Sequence, residues 1–168
     1  MSFWTRILGL NRESLVISVR TALATMLSLV VARLLKMPES YWAPISTIVI
    51  LLSTIDPLTL AWQRFAGTAL GALLGAVIAT LSIHRWAPSN WIVYGVGILL
   101  CGVVSSMLRL GSAYRFAAIT LTIVLLIAHE RSPWVVATHR FIEVSLGIAV
   151  ALLVTVAWPI PAKTSWRL

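Results

Sequence analysis

Between residues 15 and 158 the chain is a succession of long apolar runs, each closed by a proline or by one or two charged residues. A run of roughly 20 apolar residues is what crosses the hydrocarbon core of a bilayer as an α-helix. In lipid every backbone N–H and C=O must be bonded within the protein, so only helices and closed β-barrels qualify. These runs are continuously apolar and do not alternate in segments of about ten residues, which selects helices. Of 168 residues, 60% are hydrophobic and 11% charged. A soluble domain is about a quarter charged, and a globule of this length lacks the interior to hide so much apolar surface. The sequence predicts an all-α integral membrane protein with about six transmembrane helices in a single bundle.

The expected spans are 15–35, 41–55, 65–83, 91–108, 115–128 and 134–158, forming one transmembrane domain without a soluble domain. Ser14 and Glu39-Ser40 read as helix caps, and Asp56-Pro57 as the break after the second span. Ser132-Pro133 reads as a cap followed by a helix-compatible proline, and Pro159 and Pro161 forbid continuation past Trp158. The first run is too long, and its flank with Arg6, Arg12 and Glu13 too charged, for a cleaved signal peptide.

Six spans place both termini on one side. With that side inside, Arg6, Arg12, Arg64, Arg109, Arg115, Lys163 and Arg167 face Arg33, Lys36, Arg85, Arg131 and Arg140 across the membrane. The positive-inside bias favours cytoplasmic termini and a bacterial inner-membrane location. Trp42, Trp86, Trp91, Trp134 and Trp158 fall near span ends, where indoles prefer the headgroup layer. The net charge of +8 comes from scattered residues, not from the dense or aromatic-interleaved patch that nucleic acid requires. A single cysteine, Cys101, excludes an intrachain disulfide.

The strongest local pattern is GTALGALLG, with Gly67, Gly71 and Gly75 on one helix face and Ala79 extending it. In lipid such a face serves close helix packing, within the protomer or across a dimer. Arg20 lies within the first span, where a cation either snorkels to the headgroups or attracts an anion in the interior. His139, Arg140 and Glu143 share one side of the sixth helix. Arg140 and Glu143 form a compensated pair in one reading. In the other, Glu143 or His139 carries a coupling proton while Arg140 holds an anion. His129 and Glu130 add no recognised metal spacing, so no metal site is expected. Arg64 is expected to neutralise Asp56 or to cap the second helix. Pro44 either breaks the second helix beside a cavity or sits in its first turn. Nucleophile-elbow, zinc-protease and phosphate-loop motifs are absent from the sequence, so neither an enzyme nor a cofactor is expected.

The stretch YWAPISTIVILLSTIDPLTLAWQRFAGTALGALLGAV resembles the hallmark region of the fusaric acid resistance family, also called aromatic acid exporters. Tyr41, Trp42, Ala43, Arg64, Gly67, Thr68, Gly71 and Gly75 carry the likeness. RFIEVSLGIAVALLVTVAWP resembles the family's last span, through Arg140, Glu143, Gly147 and Pro159. The membrane part of plant aluminium-activated malate transporters is distantly similar. The resemblance implies export of an organic, aromatic carboxylate-type anion. Family exporters usually have two membrane halves and cytoplasmic regions, whereas this sequence holds one half. The expectation is a half-size exporter or channel working as a homodimer in membrane lipid. Arg20, Trp42, Arg64 and Arg140 would lie on the substrate path, with His139 and Glu143 as proton-coupling groups. The alternative is a non-transporting scaffold or accessory subunit of a larger membrane complex.

Overall fold

The structure is a computed structural model and describes residues 12–83, 91–126 and 132–159. The described residues form six α-helices: α1 Arg12–Leu34, α2 Trp42–Leu51, α3 Pro57–Ile83, α4 Trp91–Met107, α5 Tyr114–Leu126 and α6 Pro133–Ala157. A short 3-10 turn, Gly111–Ala113, leads into α5. No strand occurs among the described residues. Helices α1, α3 and α6 are long and apolar enough to cross a membrane, while α2, α4 and α5 are shorter. At 1.5 Å per residue, the ten residues of α2 rise only about 15 Å, half of a bilayer core.

The expected helix starts are corrected in three places. Ser14 lies inside α1, where its carbonyl accepts the Ser18 hydroxyl at 2.8 Å. Glu39 and Ser40 do not cap α2, whose N-cap is Tyr41 without a side-chain bond. Asp56-Pro57 opens α3 instead of merely ending the second span. The Asp56 carboxylate accepts the Thr59 backbone N–H at 2.9 Å and its hydroxyl at 3.0 Å. Proline loses nothing at the first helical position, where its missing N–H would be unbonded anyway. Pro44 is likewise in the first turn of α2. Ser132 and Pro133 open α6 as expected, and Trp158 ends it.

Helix α3 is the hub, packing on α2, α4, α5 and α6. Its closest neighbour is α5, reached through the glycine face. A Cβ on Gly67 or Gly71 would overlap the carbonyls of Ala113 and Ala117, and one on Gly75 would lie 3.0 Å from Val124. The parallel steps 67–113, 71–117 and 75–124 show that α3 and α5 run the same way. Gly147 of α6 admits α2 equally closely, against the Ala43 carbonyl. The glycine faces are thus spent on packing within the protomer and are not free to join two copies.

Helix α6 runs antiparallel to α3. Leu60 and Ala61 cluster with Ile148 and Ala151, the Phe65 and Phe141 rings lie 4.9 Å apart, and Ala72 and Ala76 cluster with Val136 and Ala137. The start of α1 and the end of α6 share one end of the bundle, because Arg20 reaches Thr155. Leucines, valines and isoleucines cover the outside, among them Leu23, Leu27, Leu99 and Val103, as a lipid-solvated surface requires.

Candidate functional site: an arginine pair at mid-depth

Helix α3 carries Gly67 ten residues after Pro57, and α6 carries Glu143 ten residues after Pro133. Each lies about 15 Å along its helix. Because the two helices are antiparallel, this level is the middle of the bundle. Helices α2 and α5 both begin there. The backbone N–H of Glu39, just ahead of α2, donates to Glu143 Oε1 at 3.0 Å. The turn ahead of α5 lies against Gly67 through Ala113. Helix α1, level with α6 at Arg20–Thr155, ends at Leu34, about 21 Å further on and near the same plane. Connectors 35–41 and 108–113 therefore sit at mid-depth.

Two buried arginines occupy this plane. Arg64 is 7% exposed and Arg140 2%. Arg64 Nη2 donates to Ser46 Oγ at 3.2 Å, and its guanidinium lies 5.0 Å from the centre of the Phe116 ring. Ser46 in turn donates to the Trp42 carbonyl at 2.9 Å. Arg64 is thus an interior residue of α3 that bonds α2. It does not serve the Asp56 turn and leaves the tally of cytoplasmic surface charges.

Arg140 lies over the Trp42 ring, 3.2 Å from its centroid. None of its three guanidinium nitrogens has a hydrogen-bond partner among the described residues. The expected Arg140–Glu143 pair is not formed by hydrogen bonds. Glu143 is fully buried, spends Oε1 on the Glu39 backbone and leaves Oε2 unpartnered among the described residues. Glu39 Oε2 accepts the Trp42 indole N–H at 3.0 Å. Trp42 is therefore an interior residue and not a headgroup anchor, because the cation and the carboxylate hold its ring inward. Trp91, Trp134 and Trp158 do stand exposed at helix ends. Trp86, His129 and Glu130 lie outside the described residues.

Two of the other expected groups do not join this cluster. His139 is half-buried and bonds no described residue. Arg20 bonds Thr155, fifteen residues from Arg140 on α6, hence about 22 Å away. Glu39, Ser46 and Phe116 belong to the cluster and were not anticipated. The signal for Ser46 and Thr47 was present as two hydroxyls inside an apolar run. Thr47 lies 3.0 Å from the Gly147 carbonyl and pins α2 to α6. Nothing in the local sequence foretold that Phe116 would meet Arg64. No group of three metal-ligating side chains occurs among the described residues.

An uncompensated cation inside a membrane protein costs several kcal/mol unless it meets an anion, water or partner. Here the unused N–H groups of Arg140 lie beside the N-terminus of α2, and Arg64 beside that of α5. Helix N-termini carry positive partial charge and unbonded N–H groups that favour anions.

The family model described as fusaric acid resistance protein-like matches residues 24–154. Inner membrane protein YeeA of Escherichia coli (strain K12) is similar, 30% identical over 154 residues that cover 89% of this chain and 42% of that relative. The chain thus spans less than half the length of this relative. No solved structure matches the chain.

Proposed function

From the chain's membership in the fusaric acid resistance protein-like family, we propose that it is the membrane half of an organic-anion exporter whose anion site is the Arg64–Arg140 level. The carrying observation is the Arg140 guanidinium, 2% exposed, with its three nitrogens unpartnered among the described residues and lying beside the N-terminus of α2, a helix that begins at mid-depth. Interrupted helices with N-termini facing a midplane site are a recurrent way of binding anions in transporters. A carboxylate accepts two parallel N–H bonds from one guanidinium, which Arg140 has to spare.

Trp42 covers the guanidinium and offers an aromatic face beside it, which suits an aromatic carboxylate. Glu143 is the proton-coupling candidate. In its ionised form it competes with the substrate for Arg140's field; protonated, it leaves that field to the substrate. His139 is a second candidate, one turn away on α6. A second copy of the chain supplies the other half of the transporter, in a bacterial inner membrane with both termini cytoplasmic.

Proteoliposomes loaded with benzoate test this reading. Wild-type protein is expected to release it under a proton gradient or voltage. Arg140→Gln is expected to slow flux at least about tenfold, since a lost charged hydrogen bond is worth about 1.5–3 kcal/mol. Glu143→Gln is expected to retain flux but lose its dependence on the pH gradient. Unchanged flux in Arg140→Gln would rule out the site. A wild-type protein that moves no organic anion, recovered with an unrelated membrane complex, would identify an accessory subunit instead.

A further inference from the structure

A second cationic position lies at the end of the bundle, independent of the arginine pair. Arg20 of α1 is 7% exposed and lines a cleft of about 230 Å³ between α1 and the last turn of α6. One of its nitrogens, Nη2, donates to Thr155 Oγ1 at 3.2 Å, and Nε is buried without a partner among the described residues. The remaining walls are apolar: Leu23 and Leu27 on α1, Val154 and Ala157 on α6, and Trp158 just after it. Leu23 and Leu27 are both about half-exposed on the outer face, so the cleft opens toward the surrounding lipid. No described carboxylate forms an ion pair with Arg20. Glu13, the acid on the same face of α1, is exposed and two turns away, about 10 Å along the axis.

Depth explains what this cleft would hold. Arg20 is level with the last turn of α6, which ends at the exposed Trp158, and a tryptophan at a span end suits the headgroup layer. A cation at headgroup depth, with an apolar slot running from it toward the bilayer centre, matches one amphiphile: a phosphate at the top and an acyl chain below. Basic pockets between transmembrane helices bind anionic lipid headgroups in this way. We infer that the Arg20 cleft between α1 and α6 is a binding site for an anionic phospholipid, whose phosphate meets Arg20 and whose acyl chain lies along Leu23 and Leu27. Arg20 is then a lipid anchor that ties α1 to α6, and stands outside the substrate path.

The test is lipid add-back to the full chain, purified in mild detergent. Retained lipid is read by native mass spectrometry and stability by thermal unfolding. Phosphatidylglycerol is expected to be retained and to raise Tm more than phosphatidylcholine with the same acyl chains. Arg20→Gln is expected to lower phosphatidylglycerol retention about fivefold, as expected for one basic residue at an anionic surface. Retention of phosphatidylcholine should be unchanged. Ala157→Phe leaves the charge in place and fills the cleft, so it too should lower phosphatidylglycerol retention; it serves where Arg20→Gln fails to fold. Equal phosphatidylglycerol preference in wild type and both variants would overturn the inference. So would millimolar inorganic phosphate that displaces the lipid and raises Tm equally, because the site would then recognise a free anion.

Discussion

At the scale of single residues, two described side chains stand in strained backbone. Lys36 and Arg109 have φ of 52° and 55°, the left-handed region that penalises any side chain bearing a Cβ. Each follows a helix end closed by a paired turn: Lys36 N–H reaches the Arg33 carbonyl and Met37 N–H that of Ala32, while Arg109 N–H reaches Ser106 and Leu110 N–H reaches Ser105. Glycine is the usual occupant of that position. Lys36→Gly and Arg109→Gly are each expected to stabilise the fold by about 0.5–1 kcal/mol, measured by unfolding in detergent. That two exposed cations persist there accords with a role for their charge beside the mid-depth site. Both substitutions should therefore reduce anion flux while raising Tm, and a rise in both would separate these residues from the path. Neither strained position was readable in the sequence, because left-handed backbone is signalled by glycine or asparagine, and here basic residues occupy it.

At the scale of elements, the α3–α5 contact rests on absent side chains. Gly71→Ala would thrust a Cβ into the Ala117 backbone, and should cost about 1–3 kcal/mol. Gly95→Ala on α4, with nothing within 4 Å, should instead stabilise by up to about 1 kcal/mol in the same unfolding measurement, as alanine does in an open helix interior. Equal Tm values for the two would disprove the packing. The cap of α3 gives a pH dependence. The Thr59 backbone N–H, then its hydroxyl, hold the Asp56 carboxyl below its ordinary value of 3.8. Its contribution is therefore complete above about pH 5 and disappears as pH falls through the lowered value. Wild-type Tm should fall on acidification toward pH 3, and Asp56→Asn, whose amide oxygen can still cap, should show a smaller fall. The sequence revealed the helical class and the packing role of Gly67, Gly71 and Gly75, since both follow from local spacing. It misplaced the start of α3 because Asp-Pro reads equally as a stop or as a cap with a first-turn proline. It also hid the Trp42–Arg140 contact, which joins residues far apart in the chain and depends on α2 being too short to reach both faces of the membrane.

At the scale of the whole molecule, connectors 35–41 and 108–113 lie where a bilayer would have its centre. Non-helical backbone at that depth is tolerated only inside protein or against water. Lys36 is an exposed cation there, and a cation at that depth needs water or an anion beside it, so the plane should be wet. A cysteine at Lys36 should react with a membrane-impermeant maleimide, whereas one at Leu99, on the lipid-facing side of α4, should not. The native Cys101 is buried and should give no background. Failure of the Lys36→Cys protein to react from either side would exclude an aqueous path to the arginines. Helices α2 and α5, beginning at mid-depth, also change how a voltage acts on this protein. Water reaching the arginine plane from one side leaves only the other half of the bundle as insulator, so the electrical drop is compressed into that half. A monovalent solute crossing it would then feel nearly the full transmembrane potential, about 2.3 kcal/mol per 100 mV, over about 15 Å. Outward movement of an anion would then be driven by the interior-negative potential of a living cell, even where its concentrations on the two sides are equal.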